Sequence, residues 1–171
     1  HNWRIGRKIL DTSDSPQMQA CAYGYLAHLA ADTVAHSYFV PFKMVQSFNT
    51  VMLKHTYWEL RAETGTGDDI WALVRTIAEK DFRKHDKLLS GVLSDTIFSF
   101  RTNKRLFNSM LLLSRLQQWQ KLLDSISETS KWEFDSSDKQ EYMDLAAAAT
   151  RGILSSEDSP YWKADPTGDR A

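Results

Sequence analysis

Apolar residues recur three and four positions apart over most of the chain, the period of an α-helix, and no segment sustains the two-residue alternation of a half-buried strand. The pattern predicts an all-α protein. A first long helix is expected from Asp14-Ser15-Pro16, where Asp14 or Ser15 can cap free N–H groups and Pro16 suits the first turn. It carries Met18, Ala22, Tyr25, Leu26, Leu29 and Val34 to about residue 39, and Pro41 is expected to break it. A second helix is expected from about residue 42 or 44 to 63, through Val45, Phe48, Val51, Met52, Tyr57 and Leu60, ended by the Gly65-Thr66-Gly67 turn.

Asp68-Asp69 puts negative charge at the next helix start, favourable against the positive end of the dipole, and helical pattern continues with a bend through Ile70, Leu73, Val74, Ile77 and Phe82 to about residue 98. Thr102 or Asn103 is expected to cap a long helix reaching Ile126, and Ser136-Ser137-Asp138 to open a last one through Tyr142, Leu145, Ala149 and Leu154. The tail from residue 159, with Pro160, Pro166 and Gly168, reads as irregular chain on the surface.

The composition fits one cooperative unit: 171 residues, 42% apolar and 25% charged. A single domain over residues 1–171 is therefore expected. With 21 basic residues scattered among 22 acidic ones, no general field exists to gather nucleic acid or coat an anionic membrane, so a partner must be held by a local site and no stable nucleic-acid complex is expected. One cysteine, Cys21, cannot form an internal disulfide framework, and the compartment stays open between secreted and cytoplasmic. The most apolar window, residues 106–116, is interrupted by Asn108, Ser109, Ser114 and Arg115, so no membrane-spanning helix is expected. The chain starts at His1-Asn2-Trp3 without Met or an apolar leader, which suggests a processed or truncated product with a segment upstream.

The chemistry concentrates on two helices. His28, Asp32 and His36 stand at i, i+4 and i+8, and at ~100° per residue they advance only about 40° per step along one stripe. Small Ala30, Ala31 and Ala35 flank that ladder and allow another helix to come close. His55 and Glu59 form a second i, i+4 pair. Taken singly, such a pair is a solvated contact worth ~0.2–0.5 kcal/mol. Taken together inside otherwise apolar helices, imidazoles and carboxylates at this spacing suit a divalent cation such as zinc, and a carboxylate between two histidines suits a multinuclear centre. His85-Asp86 lacks the companion histidines of a metal phosphohydrolase and reads as a polar helix face, and Arg101, Lys104 and Arg105 as a solvated basic group.

The segment from Ala22 to Asp32 (Ala-Tyr-Gly-Tyr-Leu-Ala-His-Leu-Ala-Ala-Asp), followed by His36 and by His55-x3-Glu59, resembles the zinc-dependent phospholipase C family, whose relatives include fungal zinc nucleases that cut single strands. The resemblance spans residues 6–63, and the tail Asp165-Pro166-Thr167-Gly168 is similar to that of some members. It implies an all-α bundle holding one to three zinc ions, with His28 and Asp32 on one ion, Asp32 bridging to another and serving in catalysis, and His36, His55 and Glu59 on a further one. His1 would match the last of the family's upstream ligands. Asp32 and His36 are separated by three residues where the well-studied enzymes have five, a departure at the second metal position. The implied activity is hydrolysis of a phospholipid head-group phosphodiester, with Tyr25, Tyr38, Phe39, Phe42 and Trp58 as candidate cleft walls or core residues. Single-strand nuclease action, or non-catalytic binding of a lipid or small ligand, are the alternative implied functions.

Overall fold

The structure, a computed structural model, describes residues 2–47, 54–78, 80, 82–92 and 117–168. His1 and the predicted helical stretches at 48–53 and 93–116, with Arg101, Thr102, Asn103, Lys104 and Arg105, lie outside the described residues. Among those described there is no strand, and the chain is all-α. No helix among them is long and apolar enough to cross a membrane.

Two compact units are distinguished, residues 1–58 with 134–171 and residues 59–133. The first contains helix α1 (Trp3–Asp11), α2 (Pro16–Val34), a π-helical turn (Ala35–Phe39), α3 (Val40–Gln46) and the start of α4 (Lys54–Glu63). It is completed by the long helix α8 (Ser136–Ser155) and a 3-10 turn (Pro160–Lys163). The second contains the remainder of α4, then α5 (Asp68–Ala78), α6 (Arg83–Val92) and α7 (Gln117–Glu128).

The central helix α2 starts as its sequence predicts. Ser15 accepts from the Met18 N–H at 3.4 Å and Pro16 occupies the first turn, where its missing N–H costs nothing. Its buried face is Ala22, Leu26, Leu29, Ala30, Thr33 and Val34, one stripe at helical period. α8 packs along that stripe: Ala30 of α2 and Ala149 of α8 are fully buried, so the backbones approach closely, and Leu26, Val34 and Ile153 complete the cluster. Each fully buried Leu or Ile contributes roughly 1.5–3 kcal/mol.

Two features depart from the pattern. α1 is short and carries a mid-helix glycine, both of which mask it in the sequence. Asn2 caps it by accepting from the Ile5 N–H at 2.9 Å, and Gly6 lies close against α2, where a Cβ would stand 2.5 Å from the tip of the Leu26 side chain. The tail is no loose surface strand. Trp162 packs edge-on against Trp3 at 4.9 Å, the Trp3 indole N–H donates to the Ala164 carbonyl at 2.8 Å, and Pro166 is buried. Ring burial outweighs the turn-forming composition of this segment.

In the second unit Trp71 and Leu123 are buried, and the buried guanidinium of Arg61 donates to Ser127 Oγ at 2.5 Å and to the Trp132 carbonyl at 3.5 Å. The helical pattern expected with a bend from Ile70 onward is divided into α5, which ends at Ala78, and α6, which starts at Arg83.

Candidate metal centre

Pro41 does not end the first long helix. Instead the backbone widens at Ala35–Phe39 into a π-turn, closed by the Val40 N–H bonding to the Ala35 carbonyl five residues back. Proline cannot supply an N–H and its ring collides with the carbonyl four residues earlier, so a continued α-helix is disfavoured here. The wider turn restarts the helix with Pro41 in the first turn of α3, where no N–H is required. Single π-turns of this kind recur at functional sites. The expected stripe of His28, Asp32 and His36 is thereby divided: His28 and Asp32 stay on regular α2, and His36 enters the π-turn.

His36 is gripped from the far end of the chain. Its Nδ1 lies 2.8 Å from the Pro166 carbonyl oxygen, and the neighbouring Ser37 hydroxyl donates to the Asp165 carbonyl at 3.2 Å. A carbonyl oxygen only accepts, so Nδ1 carries the proton in this contact and Nε2 is the ring's remaining donor atom toward a cation.

Facing it is α4. The His55 ring lies 5.1 Å from the His36 ring, tilted by 41°. One ligand atom each from His36, His55 and Glu59 lie within 4.8 Å of one another, all three residues half-buried. α4 is fixed by Trp58, buried to 1%, whose ring packs edge-on against Phe134 at 6.2 Å and stands 5.9 Å from the Lys43 ammonium. The turn of helix between His55 and Glu59 places both on one face.

These residues suit zinc. A tetrahedral ion with bonds of ~2.1 Å spaces its ligands ~3.4 Å apart, so side-chain movements of about 1 Å bring the triad to coordination distance. Two imidazoles and one carboxylate form the donor set of an open zinc site with a position left for water or substrate. A ligating histidine characteristically donates its other N–H to a carbonyl or carboxylate, as His36 does here. Of the other expected ligands, His28 and Asp32 form a pair, Nε2 to Oδ2, at 3.3 Å. The Asp32 charge also acts on Tyr25, whose phenol is pushed up first by burial and then by that carboxylate. Among the described residues no group of three includes His28 or Asp32.

Of the candidate wall residues, Phe39 and Trp58 are buried in the core, whereas Tyr38 and Phe42 are exposed and stacked at 6.0 Å. The Pro166 carbonyl has no counterpart among the expected site residues, because a backbone acceptor leaves no side-chain signature and the turn composition of this tail reads as irregular chain.

The sequence pattern of the family described as Zinc dependent phospholipase C matches residues 1–101. The chain belongs to this family. No match is found among curated proteins or among solved structures. The stretch matched to the zinc-dependent phospholipase C family contains all six residues expected as ligands, His1, His28, Asp32, His36, His55 and Glu59, and ends before α8 and the tail turn that holds His36.

Proposed function

We propose that this zinc-dependent phospholipase C family member hydrolyses the phosphodiester of a phospholipid head group, with zinc held by His36, His55 and Glu59. The observation that carries the reading is the approach of one ligand atom each from His36, His55 and Glu59 to within 4.8 Å of one another, with the His36 ring held by the Pro166 carbonyl 2.8 Å from its Nδ1. Zinc, when bound, supplies Lewis acidity that activates water and polarises a phosphoryl oxygen. His36 and His55 contribute neutral donors, and Glu59 offsets part of the ion's charge. His28 and Asp32, with His1, are the proposed ligands of further ions, and Asp32 is assigned the orientation of the attacking water. The His28–Asp32 separation of 3.3 Å supports that pairing, because it is close to the ~3.4 Å between neighbouring ligands of one tetrahedral zinc. Tyr38 and Phe42 offer exposed aromatic surface two and six residues beyond His36 for acyl chains.

Elemental analysis and hydrolysis of phosphatidylcholine vesicles and single-stranded DNA, each before and after chelation, test the reading. The expected outcome is zinc in the purified chain, cleavage of the lipid, loss of cleavage on chelation and recovery with zinc. His55→Ala should lower both zinc content and hydrolysis. An unchanged zinc stoichiometry in that variant, or cleavage of DNA without cleavage of lipid, counts against it.

A further inference from the structure

The turn Asp165-Pro166-Thr167-Gly168 makes contacts that its own stability does not require. The Asp165 carboxylate accepts from the Thr167 N–H at 3.0 Å and from the Thr167 hydroxyl at 2.8 Å, which closes the turn locally. The same four residues then present two carbonyls outward to the π-turn, Asp165 to the Ser37 hydroxyl and Pro166 to His36 Nδ1. Gly168 lies directly against His36. Its φ is +73°, in the left-handed region, and a Cβ there would stand 2.9 Å from the His36 Cβ and 3.0 Å from the His36 carbonyl oxygen. Backbone conformation and close approach independently demand glycine at this position. The turn is in turn fastened by Trp3, which bonds the Ala164 carbonyl immediately before it.

We infer that this tail turn is a positioning element for zinc: the Pro166 carbonyl sets the tautomer and orientation of His36, and Gly168 lets the backbone come close enough to do so. The inference rests on the reading of His36 as a zinc ligand. An imidazole in water is free to carry its proton on either nitrogen. With Nδ1–H bound to a fixed carbonyl, Nε2 is unprotonated before the ion arrives, so no tautomeric change is needed on binding. Outer-shell partners of this kind typically alter metal affinity by about 10–100-fold when removed.

The test uses the metal-free full chain and two variants. In imidazole nitrogen NMR above the histidine titration range, wild-type His36 should show the Nδ1–H tautomer. In Gly168→Ala, whose methyl displaces the turn, it should show a mixture, and zinc affinity, measured by chelator competition, should fall by about 10–100-fold. Asp165→Ala opens the turn without placing atoms against His36 and should shift both readouts in the same direction; it carries the test if Gly168→Ala does not fold. A turn that only contributes stability would lower the melting temperature and leave the tautomer untouched. His36→Ala separates this inference from the reading beneath it. An unchanged number of zinc ions per chain in that variant removes His36 from the ligand set. Fewer zinc ions in His36→Ala, with tautomer and affinity unchanged in the turn variants, overturns the positioning role alone.

Discussion

Lys43 sits with its ammonium in a nearly closed environment, the whole residue only 3% exposed. Its charge is met by the Asp138 carboxylate and by the faces of Phe134 at 5.4 Å and Trp58 at 5.9 Å. Removing a buried ammonium's partner costs more than removing the pair, because the remaining charge keeps its desolvation penalty. Asp138→Ala should therefore destabilise the chain by about 2–3 kcal/mol, below the ~3–5 kcal/mol of a fully buried pair, since the Asp138 side chain remains 35% exposed. Lys43→Met, which keeps the aliphatic volume without the charge, should stay within about 1 kcal/mol of the parent. Urea unfolding of the two variants checks the order, and equal losses would show that Lys43 draws its stability from the rings. None of this was legible in the sequence. In the sequence Lys43 falls beside the break expected at Pro41, and the acid that lets it stay inside lies 95 residues away.

Helices announced themselves where their start signals are local. Ser15-Pro16 and the Asp135-Ser136 junction each act through groups within three residues, so α2 and α8 begin where the sequence placed them to within a residue. The π-turn was not legible, because Pro41 only forbids the ordinary helix and does not say whether the chain will stop or widen; packing of α2, the π-turn and α3 decides that. The same limit applies to His36: spacing predicted a shared stripe with Asp32, and the extra residue per turn altered it. Asp135 gives a direct test at this scale. Its carboxylate accepts from the Ser137 hydroxyl and from the N–H groups of Ser137 and Asp138, and these bonds, the hydroxyl first, hold its pKa below the usual carboxylate value. A carboxyl depressed in the folded state stabilises above its unfolded pKa and loses that contribution as pH falls through the folded one. Asp135→Ala should lower the melting temperature near neutral pH, with the difference from wild type shrinking in acid; a constant difference across that range would show that the cap acts without its charge.

At the scale of the molecule, the first unit is built from both ends of the chain, with α1 and the tail turn closing on α2 and the π-turn while α8 runs along their inner face. Family membership was carried by residues 1–101, but the support beneath His36 comes from beyond them, which is why motif spacing reached the ligand and not what holds it. Tyr142 of α8 reports on the same assembly. It is 9% exposed, its ring lying 4.4 Å from Phe39 and 5.4 Å from Tyr38 of the π-turn. Burial, and then the neighbouring Tyr38, Asp138 and Glu141, push its phenol from the usual 10 up to about 12. The folded chain thus holds this proton more tightly than the unfolded chain, so its contribution to stability is fully present below pH 10 and is lost as pH rises toward 12. Tyr142→Phe keeps the ring and removes the titrating group. Melting temperatures followed upward from pH 8 should fall more steeply for wild type than for Tyr142→Phe once the pH passes about 10. Tyr25 and Tyr38, also raised, remain in both proteins and cancel in the comparison, so parallel curves would mean that the packing of α8 on the π-turn does not keep this phenol neutral.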